Sequence, residues 1–118
     1  MKHVIIVEDH LDHAYILSAT LTKVGFLTTS SMDIFKILDQ IQQGTVDAII
    51  LDIHLPGMIP GDEIISMVRN VNKQIPIVMT TGLNDDYMRI RCLELGANYY
   101  FVKPIALDDL ISVFKQWI

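Results

Sequence analysis

Residues 48–57 read AIILDIHLPG: Ala48, Ile49, Ile50 and Leu51 run without a polar break into Asp52, and Pro56 and Gly57 interrupt the chain soon after. Four consecutive apolar positions have no solvated face, so the run reads as a strand covered on both sides, as in a parallel sheet. The pattern recurs as HVIIV (3–7), VDAIIL (46–51), IPIVMT (75–80) and NYYFV (98–102), all read as fully buried, with a weaker fifth in FLTTS (26–30). Helical periods lie between them. After Asp9 the apolar residues Leu11, Ala14, Leu17, Leu21 and Val24 fall at three- and four-residue steps, and Gly25 offers a left-handed stop. Asp33 is placed to cap a second helix carrying Ile34, Ile37, Leu38 and Ile41, which Gly44 ends. Ile64, Ile65, Val68 and Val71 mark a third, Tyr87 to Leu95 a fourth closed by Gly96, and Leu107, Leu110, Ile111 and Phe114 a fifth. Such alternation predicts a doubly wound α/β fold, a parallel sheet with helices on both faces.

The 118 residues fit one domain spanning 1–118, and a composition of 51% hydrophobic and 19% charged residues is that of a packed globular chain. A formal net charge of −5 disfavours direct nucleic-acid binding, which needs a clustered basic face. Cys92 is the only cysteine, which excludes an intrachain disulfide and a thiolate-rich zinc site and suits a reducing cytoplasm. The apolar run after Met1-Lys2-His3 is too short for a signal peptide or a membrane span, so a soluble protein with no membrane association is expected.

The polar residues fall at strand ends. Strand one ends in Glu8-Asp9, strand three in Asp52, strand four in Thr80-Thr81-Gly82 and strand five in Lys103-Pro104. In a parallel sheet these ends share one edge, where open α/β folds place their ligands. Two carboxylates about 5 Å apart repel by roughly 3 kcal/mol at an effective dielectric of 20, and a hard cation such as Mg²⁺ relieves that repulsion. A cation, a lysine and a hydroxyl around one carboxylate suit phosphoryl transfer, in which a carboxylate can act as nucleophile. Each residue also has a plainer reading: Asp9 as a helix cap, Thr81 as a strand-end hydroxyl, Lys103 as a solvated loop charge. Their coincidence on one rim favours the chemical reading.

In IIVEDH, IILDIHLPG, PIVMTTG and GANYYFVKP, taken in order, the chain resembles a receiver domain of the response-regulator family over essentially its whole length. The resemblance implies a flavodoxin-like five-stranded sheet of order 2-1-3-4-5 with five helices. It implies Asp52 as phosphoacceptor, charged from a phosphohistidine on a sensor histidine kinase or histidine phosphotransfer protein. Glu8, Asp9, Asp52 and the backbone carbonyl of His54 would hold Mg²⁺, with Mn²⁺ as a substitute. Thr81 would be the hydroxyl that moves to the phosphate, Lys103 the lysine that pairs with it, and Tyr100 the aromatic that swings inward. The face of helix four, strand five and helix five would then address an output partner or domain, and a phosphorylation-dependent dimer would use the same face. The resemblance also implies that the side chains of His54 and Leu83 occupy positions that tend to tune phosphate lifetime in this family. The loop GMIPGDE (57–63) is one residue longer than the family pattern and carries Pro60.

Two rival readings use the same residues. A hydrolase with Zn²⁺ or Mn²⁺ can be drawn from His10, His13 and His54 with Asp9 and Asp52, but imidazoles at a helix start are usually solvated, and Lys103 and Thr81 would lack roles. A phosphorylation-independent interaction module would typically lack one of the acidic pair, the aspartate or the lysine, and this chain has all of them. A nucleotide-binding fold is disfavoured, because strand one leads into VEDHLDH with no glycine loop.

Overall fold

The computed structural model describes every residue except Pro56, Met58, Leu83 and Ile118. Strands and helices alternate as β1 (His3–Val7), α1 (Leu11–Lys23), β2 (Leu27–Ser30), α2 (Ile34–Gln42), β3 (Ala48–Asp52), α3 (Gly61–Val71), β4 (Ile77–Thr81), α4 (Asp86–Leu95), β5 (Tyr99–Val102) and α5 (Leu107–Lys115). All strand pairs are parallel, in the order β2-β1-β3-β4-β5, the flavodoxin-like arrangement expected.

Side chains alternate across each strand, and two cores result. On one face Ile5, Val7, Ile49, Leu51, Ile77 and Met79 pack beneath α2, α3 and α4. On the other Val4, Ile6, Ala48, Ile50 and Val78 pack beneath α1 and α5, with Phe114 edge-on to both Phe26 and Trp117. Burying a Val, Leu or Ile side chain is worth about 1.5–3 kcal/mol, so the three central strands, buried at every residue but His3, anchor the sheet.

The outer strands differ. β5 is half-exposed rather than fully buried, with Tyr99 and Val102 open to solvent, because it is an edge strand that α4 and α5 cover only in part. β2 is the other edge and is likewise mostly exposed. Leu11, read as part of the core stripe of α1, is 82% exposed: it opens the helix beside the carboxyl edge, outside the layer that Ala14, Leu17 and Leu21 fill.

Helix ends follow the expected chemistry with one change. Asp33 caps α2 by accepting from Lys36 N–H, and Asp85 caps α4 by accepting from Tyr87 and Met88 N–H. Gly25, Gly44 and Gly96 carry the positive φ that left-handed helix stops require. The cap of α1 is His10, not Asp9: its Nδ1 accepts from His13 N–H at 3.4 Å, which leaves the Asp9 carboxylate free for the rim. Arg69 of α3 donates to the Gly96 carbonyl from both Nε (3.0 Å) and Nη2 (2.6 Å) and to Asn98 Oδ1 (3.0 Å), tying the end of α4 to the start of β5.

Candidate functional site at the carboxyl edge of the sheet

The register of the sheet brings the polar strand ends together. β1 delivers Glu8 and Asp9 beside the end of β3, where Asp52 lies opposite Thr80 of β4, while Thr81 lies opposite Val102, one residue before Lys103. Asp52 is 5% exposed and Glu8 4%, so both are buried carboxylates that must be paired. One ammonium serves both. Lys103 Nζ donates to Glu8 Oε1 at 2.6 Å and to Asp52 Oδ2 at 2.8 Å. The Lys103-Pro104 peptide bond is cis.

The remaining lone pairs of the two carboxylates are met locally. Asp52 Oδ1 accepts from the backbone N–H of His54 at 3.0 Å. Glu8 Oε2 accepts from His10 N–H at 3.2 Å, and Glu8 Oε1 also accepts from His13 Nδ1 at 2.6 Å. Burial alone would raise the pKa of Asp52, but the Lys103 ammonium and the His54 N–H outweigh it and hold the carboxyl below its ordinary value. For Lys103 burial favours the neutral amine, yet the bonds to Asp52 and Glu8 prevail and raise its pKa. Asp52 is therefore an anion at neutral pH.

Glu8, Asp9 and Asp52 each present a carboxylate oxygen, and the three oxygens lie within 4.8 Å of one another. Among the described residues no histidine belongs to this cluster. Three carboxylates face one ammonium, so the residues present fit a divalent cation, and an all-oxygen donor set suits Mg²⁺ better than Zn²⁺. Thr81 is fully buried beside this cluster, and the Tyr100 phenol meets the Thr81 side chain and the Asp85 backbone. Burial raises the pKa of that phenol, so it stays neutral as a hydrogen-bonding group. The rim opens into a groove of about 730 Å³ between α1 and α5, bordered by Glu8, Asp9, His10, His13, Lys103 and Leu107.

Every candidate with a described position is thus on or beside one rim: Glu8, Asp9, Asp52, Thr81, Lys103 and Tyr100, with the His54 backbone next to Asp52. The His54 side chain itself is exposed, and Leu83 lies outside the described residues. His13 was read as a solvated imidazole at a helix start. Its side chain is only 19% exposed, because one turn of helix swings it back over Glu8. The signal available in the sequence was its spacing, five residues beyond Glu8 across a strand-to-helix turn.

Fold and rim together define a class: a doubly wound parallel α/β protein with an acidic site at the carboxyl edge, bridged by one lysine. Residues 4–115 match the response regulator receiver domain, and the chain belongs to that family. It is 37% identical over 108 residues to the transcriptional regulatory protein CusR of Escherichia coli K12, covering 92% of this chain and 47% of that protein. The chain therefore spans about half the length of the curated relatives it matches. Among solved structures it is similar to a two-component response regulator from Clostridium difficile, with TM-score 0.88 and 25% identity over 98% of this chain and 94% of that one. It is similar as well to TrrA from Thermotoga maritima in complex with Mg²⁺–BeF, with TM-score 0.84 and 26% identity over 100% of both chains. A receiver domain is a signalling module, and among the described residues no helix is long and apolar enough to cross a membrane.

Proposed function

We propose that residues 1–118 act as a single phosphoacceptor domain in which Asp52 takes a phosphoryl group from a phosphohistidine on a sensor histidine kinase or histidine phosphotransfer protein. An Asp52 carboxylate oxygen forms the new O–P bond as the N–P bond breaks. The electron pair returns to the partner's imidazole nitrogen, which takes up a proton. The observation that carries this reading is the buried Asp52 carboxylate, bridged to Glu8 by Lys103 with Asp9 and Thr81 beside it.

Glu8, Asp9, Asp52 and the His54 carbonyl would hold Mg²⁺, or Mn²⁺ in its place, which when bound neutralises charge on the transferring phosphoryl oxygens. Lys103 follows the charge. Once Asp52 is an acyl phosphate, the Lys103 ammonium moves to a phosphoryl oxygen, the richest acceptor within reach. The Thr81 hydroxyl donates to another phosphoryl oxygen, and Tyr100, already bonded to Thr81, follows it inward. Phosphorylation so favours one of two packings of the face made by α4, β5 and α5 and shifts their populations. Exposed Tyr87, Ile90, Tyr99 and Val102 on that face supply the apolar surface an output partner, an output domain or a second phosphorylated copy would cover. The domain catalyses only its own phosphorylation and slow dephosphorylation, in the cytoplasm, without direct contact to nucleic acid or membrane.

Intact mass after incubation with Mg²⁺ and acetyl phosphate tests the proposal. The native chain should gain one hydroxylamine-labile phosphoryl group and Asp52→Asn should gain none. A native chain left unmodified while a known receiver domain is phosphorylated alongside would refute it.

A further inference from the structure

The Glu8 carboxylate has a donor, His13, that the phosphoacceptor reading leaves without a role. Its side chain is 1% exposed, and one oxygen, Oε1, accepts from both Lys103 Nζ and His13 Nδ1, each at 2.6 Å. A carboxylate only accepts hydrogen bonds, so the proton of this contact sits on Nδ1. The backbone that carries the imidazole is ordered as well, since the His13 N–H caps onto His10 Nδ1 and the His10 N–H itself holds Glu8 Oε2. The start of α1 thus carries a small scaffold built around one carboxylate.

Lys103 cannot keep all its partners if Asp52 becomes an acyl phosphate. Glu8 Oε2 would keep the His10 N–H, but without a substitute the departure of Lys103 would leave buried Oε1 with no protein donor, and a buried carboxylate oxygen without a donor is unfavourable. We infer that His13 is a positioning residue: its Nδ1–H holds Glu8 through the oxygen that Lys103 also uses, so Lys103 can turn to an incoming phosphoryl group without stranding a buried carboxylate. This inference rests on the phosphoacceptor reading of Asp52. Because two donors share one oxygen, His13 also weakens the grip of Glu8 on Lys103.

The test has two arms. In the full chain without metal, long-range ¹H–¹⁵N spectra should show His13 protonated at Nδ1, with a downfield, exchange-protected proton that Glu8→Ala abolishes. In stopped-flow or mass-resolved phosphorylation by acetyl phosphate at saturating Mg²⁺, His13→Leu should lower the rate about tenfold, the scale of one hydrogen bond to a charged group. His13→Gln, whose amide N–H can replace the imidazole donor, should recover the rate to within about threefold. A loss of packing alone would not give that rescue. Rates for His13→Leu equal to the native rate, or a bare Nδ1 in the spectra, would overturn the inference and leave the phosphoacceptor reading intact. No phosphorylation of the native chain despite an intact Nδ1–H signal would overturn both.

Discussion

Replacing Lys103 by methionine keeps most of the side-chain volume and removes the ammonium that bridges Glu8 and Asp52 at 2.6 and 2.8 Å. Two consequences follow from the geometry. The carboxylates lose a shared partner, and three carboxylate oxygens within 4.8 Å are left with no ammonium among them. At that separation each pair repels by about 3.5 kcal/mol at an effective dielectric of 20, so the metal-free variant should melt well below the native chain. A divalent cation gains what the fold loses. The repulsion between a doubly charged ion in the cluster and an ammonium roughly 5 Å away is about 1.7 kcal/mol even at the dielectric of bulk water, and it is absent in the variant. Lys103→Met should therefore bind Mg²⁺ about tenfold or more tightly at low ionic strength, although it loses the group that pairs with phosphate. Thermal melts across a Mg²⁺ titration read both effects, because ligand stabilisation grows with the ratio of free ligand to Kd. A variant that is destabilised without metal, with unchanged or weaker Mg²⁺ affinity, would refute this electrostatic reasoning.

Other consequences are local. The Asp52 carboxyl lies below its ordinary value in the folded state, so its ionised form contributes stability that is present above the unfolded value of about 3.9 and is lost as pH falls through the lower folded value. The difference in melting temperature between the native chain and Asp52→Asn should thus be flat from pH 5 to 8 and change below about pH 4; a change centred near neutral pH would contradict the assignment. Gly61 opens α3 against the end of β3, and an added Cβ would lie 2.8 Å from Ile53 Cα and Cβ. Gly61→Ala should cost about 1–3 kcal/mol in urea unfolding, and an unchanged midpoint would show that α3 can shift freely away from the site. The Thr80 hydroxyl is buried without a hydrogen-bond partner among the described residues, so Thr80→Val should raise stability by about 1 kcal/mol. A loss of stability in the same unfolding assay would reveal a partner for that hydroxyl.

The sequence carried the fold because each of its central strands holds at least three consecutive apolar residues. Ile49, Ile50 and Leu51 can be satisfied only between two layers, and the helical periods between strands supply those layers. It was less informative at the edges, where Tyr99 and Val102 look like core residues but belong to a strand with one neighbour. It showed where α4 ends, at Gly96, but not which side of that helix packs: its fully buried side chain is Cys92, Met88 and Leu95 are partly buried against the core, and Arg69 of α3 ties its end. The rim was legible because a parallel sheet aligns all strand ends, which places Glu8, Asp9, Asp52, Thr81 and Lys103 together from topology alone. What topology could not give was hydrogen-bond partnership. That Lys103 bridges two carboxylates, and that His13 shares Glu8 with it, depends on side-chain directions set by the first turn of α1.

Phosphorylation at position 52 is most directly tested by trapping the modified residue. The chain would be treated with acetyl phosphate and Mg²⁺, then with sodium borohydride, which reduces an aspartyl phosphate to homoserine, and the digest mapped by tandem mass spectrometry. Homoserine at position 52, dependent on Mg²⁺ and absent without phosphodonor, is the predicted result. An intact Asp52 in a chain that has gained a phosphoryl group elsewhere would contradict the site at its centre.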